Sequence, residues 1–283
     1  MPSTSPKRWR TTRHDIDLST PRVMGIVNAT PDSFSDGGRD LAASLAHCER
    51  LVAEGADILD VGGESTRPGS QRPTAEQEWQ RVEPVLRHAL TLGVPVSLDS
   101  SQPSVIAAAL DLGVDIVNDV RALRTPGALA ALTAHPQAGV CLMHMQGDPQ
   151  SMQQQPHYDE VTAEVGAFLA ARAQALRDAG IAAERIVLDP GYGFGKTVEH
   201  NLELLRRQQE LLTLGYPLLV GWSRKSTIGA LTGRPPDQRL AGSLAAALAA
   251  VQRGACIVRV HDVAPTVDAL KIWAAAGFGP ASH

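Results

Sequence analysis

Residues 186–196 read Ile186-Val187-Leu188-Asp189-Pro190-Gly191-Tyr192-Gly193-Phe194-Gly195-Lys196, a short apolar run that stops at a carboxylate and opens into a glycine-rich polar segment. Continuous Val/Ile/Leu runs are the mark of parallel strands buried on both faces. Seven further runs end in the same way: at Asn28, at Asp60 with the stretch 62–69, at Asp99, at Asn118 with Asp119, at Met143–Gln146, at Ser223–Lys225 and at Arg259–Asp262. The run spacing predicts strands near 23–28, 58–62, 94–99, 116–119, 140–145, 186–189, 218–221 and 257–260. Helical patterns fall between and after them, over 41–54, 75–91, 103–112, 126–134, 161–179, 198–213, 240–253 and 266–275. Gly113 and Gly254 follow such patterns, where a left-handed C-cap favours glycine, and Pro103 suits a first helical turn. Eight strand–helix alternations predict an α/β fold, a single (β/α)8 TIM barrel with its active site at the C-terminal ends of the strands.

A chain of 283 residues suits one such barrel, and its net charge of -4 gives no reason to expect nucleic acid. Cys48, Cys141 and Cys256 lie far apart and have no metal or disulfide spacing, as expected of buried thiols in a reducing cytoplasm. No apolar stretch approaches the ~20 residues of a membrane span. The basic N-terminus has no apolar segment behind it, so no secretory signal is expected. Residues 1–16, with Lys7, Arg8, Arg10 and Arg13, are expected as a flexible solvated tail, and 17–283 as the barrel domain.

The strand ends carry the chemistry. Asp99, Asn118 and Asp189 each have a plain alternative role as caps. Three such residues at strand ends, joined by Lys225, instead suit a pocket for a flat heterocycle with an amidine-like edge, such as a pterin or guanine ring. Arg259 and His261 alternate on the last run, so both face the same way, where an Arg fork suits phosphate. Asn28 and Arg67 offer further contacts, and Mg²⁺ would share the anionic charge through oxygen ligands. Lys225 reads either as a Schiff-base former or as a cation bonding a ring carbonyl, and the neighbouring carboxylates favour the second. Segment 193–196 lacks the spacing of a phosphate loop. Two long loops, 29–39 and 63–73, are expected to be functional lids on the same barrel face.

Several long motifs bear a resemblance to a known family: residues 24–38 (MGIVNATPDSFSDGG), 60–69 (DVGGESTRPG), 97–99, 117–119, 142–147, 188–196, 221–226 and 259–263. On these the chain resembles the dihydropteroate synthase family, from about Asp17 to Trp273. The resemblance implies a transferase of folate biosynthesis, inhibited by sulfonamides and usually homodimeric, that joins a pterin diphosphate to 4-aminobenzoate. It implies pterin contacts at Asp99, Asn118, Met143, Asp189, Phe194 and Lys225. Diphosphate contacts would fall on Asn28, Thr66, Arg259 and His261, with Mg²⁺ at Asn28. The aminobenzoate subsite would use Phe34, Thr66, Arg67, Pro68, Phe194 and Ser223. Catalytic roles would rest on Asp36, Asp99, Lys225 and Arg259. A pterin-binding methyltransferase is disfavoured by both loops and by Arg259 with His261, since methyl transfer has no diphosphate to hold. A pterin-binding protein without activity is disfavoured because Phe34, Asp36 and Arg67 are intact.

Overall fold

Each apolar run satisfies its backbone by pairing with the next, and the last pairs with the first. The computed structural model describes residues 8–29, 39–64, 73–147, 152 and 155–278. Its strands are β1 (Arg8–Arg10), β2 (Asp15–Asp17), β3 (Arg22–Asn28), β4 (Ile58–Gly62), β5 (Val96–Asp99), β6 (Ile116–Asp119), β7 (Gly139–Met143), β8 (Ile186–Asp189), β9 (Leu218–Val220) and β10 (Ala255–Val260). Strands β3 to β10 close into a parallel barrel, in which β10 pairs with both β9 and β3. The helices are α1 (Arg39–Ala53), α2 (Ala75–Ala89), α3 (Pro103–Leu112), α4 (Ala128–Thr133), α5 (Val161–Asp178), α6 (Val198–Arg206), α7 (Ser226–Thr232), α8 (Leu240–Gln252) and α9 (Val263–Trp273). The fold is the expected (β/α)8 barrel.

Local chemistry sets several boundaries. Thr74 and Gln77 form a reciprocal capping box that starts α2. Pro103 occupies the first turn of α3, and Gly113 ends that helix at φ 99°, a conformation costly for other residues. The helix expected over 198–213 stops at Arg206 and continues as a 3₁₀ segment, Gln208–Leu214. The buried Gln208 amide donates there to the carbonyls of Ala250 and Arg253, which ties the segment to the end of α8. Strand β7 ends at Met143, before the expected Met145, and the His144 N–H makes its last ladder bond, to the carbonyl of Asp189. Helix α7 has only seven residues and too short a period to stand out in the sequence.

From Arg8 onward the N-terminus is not a solvated tail. Strands β1 and β2 form an antiparallel hairpin, Trp9 opposite Ile16. Trp9, Ile16 and Leu18 pack against Met24, Ile58, Ile116, Cys141, Val187, Leu219 and Ile257, the inward side chains at the barrel floor. The Trp9 indole is fully buried and donates to the carbonyl of Arg185 at 2.9 Å. Arg13 grips the buried Asp115 carboxylate through Nη2 at 2.6 Å and Nε at 3.0 Å. Arg8 and Arg10 pair with Asp15 and Glu184. Arg8, Arg10 and Arg13, expected to lie in water, therefore find acidic partners within the chain. Burial of Trp9, Ile16 and Leu18 and the Arg13–Asp115 pair together oppose the entropy of ordering this segment.

Inward side chains repeat every second residue along a strand. Two positions beyond the floor stand Ile26, Asp60, Asn118, Met143, Asp189, Gly221 and Arg259, with Asp99 two beyond the buried Ser97. One pleat thus carries the barrel interior from an apolar layer to a charged one. Trp9→Ala should cost about 3–5 kcal/mol, the usual range for deleting a buried aromatic. Urea unfolding measures this loss, and a loss within 1 kcal/mol would show that the hairpin does not seal the floor.

Candidate active site

Arg259 stands at the centre of the charged layer. Its Nε donates to Asp60 Oδ2 and its Nη2 to Asp99 Oδ2, each at 2.6 Å. Asn118 Nδ2 donates to the same Asp60 oxygen at 3.1 Å. Strands β4, β5, β6 and β10 are thereby joined through side chains as well as through the sheet. Asp60 was legible as a strand ending but was not expected among the site residues. Its position two beyond Ile58 obeys the same alternation that placed Arg259 with His261.

Asp189, at the end of β8, accepts the Gly191 N–H at 2.7 Å, so its turn role and its place in the layer coexist. Asp119 takes only the plain role: it faces away from Asn118 and accepts N–H bonds from Arg121 and Leu123. Lys225 places Nζ 3.8 Å from the centre of the Phe194 ring, a cation–π contact. Met143 packs with Val120, Met145, Met152 and Phe194 as an apolar wall of the pocket. Ser223 and His261, assigned by resemblance to different subsites, touch each other: Ser223 Oγ lies 3.0 Å from His261 Nδ1 and accepts the His261 N–H at 3.2 Å. Asn28 ends β3 exposed, and its side chain forms no hydrogen bond among the described residues. Phe34, Asp36, Thr66, Arg67 and Pro68, with most of both expected lids, lie outside the described residues.

Burial and mutual charge set the protonation states. Burial, reinforced by Asp60, pushes Asp99 up to about 7 against the pull of Arg259. Burial also raises Asp189, opposed by the Gly191 N–H and by Lys225, Lys196 and Arg259. Lys225 is brought down to about 8 by burial and by Arg259. Burial disfavours charge on Arg259, yet Asp60 and Asp99 together hold it above its ordinary value. His261 falls to about 4 through burial and the nearby Arg224 and Arg259, so its ring is neutral near pH 7. With Nδ1 accepting from Ser223, its Nε2–H is left as a donor. The layer can accept N–H donors at Asp189 and Asp99, and can donate to an anion from Arg259 and His261.

Residues 24–261 match the family described as pterin binding enzyme. The chain is 53% identical over 277 residues to the dihydropteroate synthase of Neisseria meningitidis serogroup B, covering 95% of this chain and 97% of that one. The Escherichia coli K12 dihydropteroate synthase is 50% identical over 260 residues, covering 91% and 92%. Among solved structures, a Xanthomonas albilineans dihydropteroate synthase with 4-aminobenzoic acid superposes with a TM-score of 0.90 at 50% identity, covering 98% of this chain and 100% of that one. A Burkholderia cenocepacia dihydropteroate synthase complexed with 7,8-dihydropteroate gives 0.87 at 48% identity, covering 96% and 97%.

The charged layer can be tested without any ligand. Asp60→Asn removes a negative charge that raises Asp99 and leaves Arg259 with Asp99 as its one carboxylate, so Asp99 should titrate well below its value of about 7. Carboxyl ¹³C NMR reports this directly, and an unmoved or higher Asp99 midpoint would show that the carboxylates are not coupled.

Proposed function

The chain belongs to the dihydropteroate synthase family of pterin-binding enzymes, and from that premise we propose how its residues divide the reaction. The enzyme joins 4-aminobenzoate to 6-hydroxymethyl-7,8-dihydropterin diphosphate, releasing diphosphate and 7,8-dihydropteroate. The observation that carries the division is Arg259, whose guanidinium touches two carboxylates below while His261 stands two residues further along the same face. In this reading Asp189, Asn118 and Asp99 accept and orient the polar edge of the pterin, and Lys225 bonds its ring carbonyl. Met143 and Phe194 line its faces. Arg259, His261, Asn28 and Thr66 hold the diphosphate. Phe34, Thr66, Arg67, Pro68, Phe194 and Ser223 form the aminobenzoate subsite.

The C–O bond between the exocyclic methylene and the diphosphate breaks, and its electron pair leaves on the diphosphate oxygen. Arg259 neutralises that oxygen as charge develops, and His261 donates a hydrogen bond to it. Asp99, with Asp36 on the first loop, stabilises the cation left on the pterin methylene. The aromatic amine then donates its lone pair to form the C–N bond and gives up a proton. Water would capture this cation, so the reaction requires a site from which water is kept out. No enzyme nucleophile takes part.

Asn28 suits Mg²⁺ chemically: it offers a neutral amide oxygen at the mouth, and Mg²⁺ commonly takes one or two protein oxygens with the rest from phosphate and water. Among the described residues no three His, Cys, Asp or Glu side chains group to hold a metal, and Asn28 would be the protein residue that holds the ion. Its chemistry there is to screen the diphosphate charge. We also propose a homodimer in the cytoplasm. In support, Leu231 on α7 and Leu240 at the start of α8 are exposed large apolar residues on neighbouring helices. No described helix is long and apolar enough to cross a membrane.

Purified protein with Mg²⁺ should release diphosphate from the pterin substrate only when 4-aminobenzoate is present. Release that ignores the amine, or none with both substrates, would sink the reading. For the dimer, Leu231→Asp should shift the sedimentation coefficient from dimer to monomer, and a wild-type monomer would refute that assembly.

A further inference from the structure

Lys196 is a buried cation to which the reaction described above gives no task. Its side chain is 3% exposed, and its Nζ lies 2.9 Å from His144 Nδ1, 2.9 Å from the Gly191 carbonyl and 3.1 Å from the Phe194 carbonyl. An ammonium has three N–H donors, and three acceptors surround it. Gly191 is in turn the residue whose N–H bonds Asp189, and Phe194 is the ring beneath Lys225. The segment is pressed against the end of β7 as well. At Gly191, φ +71°, an added Cβ would lie 1.9 Å from the His144 carbonyl oxygen, and at Gly195 one would lie 2.6 Å from that of Gln146. The turn after β8 and the turn after β7 are therefore one unit, and Lys196 is the bolt through it.

We propose that Lys196 is a positioning residue for the pterin subsite: its ammonium fixes the turn that presents Asp189 and Phe194, and its charge keeps the Asp189 carboxylate ionised to receive the pterin. This rests on the pterin reading given above. The charged groups acting on Asp189 are Lys225, Lys196 and Arg259, all of which favour its ionised form. Those acting on the bolt itself are Asp189, which favours the ammonium, and Lys225, which opposes it; burial brings Lys196 down to about 7. His144 is held neutral, down to about 2, by burial and by Lys196 and Arg124, so its Nδ1 is free to accept. In such a desolvated site a nearby charge acts with little screening.

The test is Lys196→Met, which keeps the length and removes the charge. The acid limb of kcat/KM for the pterin diphosphate should move up by about one pH unit, since one lost charge contact near a buried carboxylate is a shift of that order. The KM for the pterin substrate should rise roughly tenfold and that for 4-aminobenzoate by clearly less, since only Phe194 of its subsite lies on this turn. Lys196→Arg, which restores charge, should return the limb to its wild-type position. An unmoved limb, or equal rises in both KM values, would overturn the proposal and leave Lys196 a structural bolt only. Asp189→Asn separates the two readings: retained pterin affinity there refutes the pterin placement itself, whereas lost affinity with an unmoved Lys196→Met limb refutes only the role of Lys196. Should Lys196→Met not fold, wild-type enzyme with ¹⁵Nζ-labelled lysine gives the answer. Its Lys196 ammonium should titrate near pH 7 when free and at higher pH with pterin substrate bound, and an unchanged midpoint overturns the proposal.

Discussion

Every second residue of a strand in a closed barrel points inward, and in this chain that alternation carries the interior from apolar floor to charged mouth within one pleat. Ile58 and Asp60, Ile116 and Asn118, Val187 and Asp189, and Ile257 and Arg259 are four instances of the same two-residue step. The floor residues pack with Trp9 and need no polar partner. The residues one step above have none of their own kind to pack with, so they must pair with one another or with a ligand. A slip of one residue in any of these strands would send its charge outward among the helices and its neighbour into the mouth. The register of the sheet is thus a condition of the chemistry as well as of the fold.

Pairing in that layer is economical. Asp60, buried and in contact with both Arg259 and Asn118, fixes two groups that face the mouth. Breaking one partner out of such a set costs far more than its contacts suggest, because the other charge is left dry. Lys196 repeats the arrangement on the opposite side, with backbone carbonyls in place of carboxylates. The polar groups of the site are therefore already paired with one another without a substrate, which lowers the entropy of assembling them on binding.

Much of this was legible in the chain. Apolar runs with polar endings gave the eight strands, the barrel and the side on which the site lies, since those signals depend only on period and burial. The residues at the endings gave Asp99, Asn118, Asp189, Lys225, Arg259 and His261. What the chain concealed depends on contacts across long separations. The hairpin hid because residues 8–17 alternate apolar and charged side chains over only two three-residue strands, and because the partner of Arg13 is Asp115, a hundred residues on. Lys196 hid because nothing next to it in sequence foretells that His144 will meet it. Asp99 and Arg259 were placed in different subsites, although in the folded chain they are bonded to each other.

That last contact bears on how an anion is held. A guanidinium has five N–H donors, and Arg259 spends one on each of two carboxylates, leaving three for oxygens above it. A diphosphate can then be bound with both carboxylate bonds intact, so the pair orients Arg259 instead of competing with its ligand. The charge count is less favourable. Two ionised carboxylates against one guanidinium leave this cluster with one negative charge, a poor seat for a diphosphate. Two features offset it. Asp99 is raised to about 7, so near neutrality it is protonated for much of the time. Lys225, shifted to about 8, keeps most of its positive charge there. The neutral His261 contributes a donor but no charge, which places the remaining burden of neutralisation on the proposed Mg²⁺. In the proposed reaction, positive charge appearing on the pterin methylene as the diphosphate departs would favour ionisation of Asp99, because a nearby cation favours the carboxylate. A carboxyl poised near neutrality would thus suit the anionic substrate in its protonated form and the proposed cation in its ionised form.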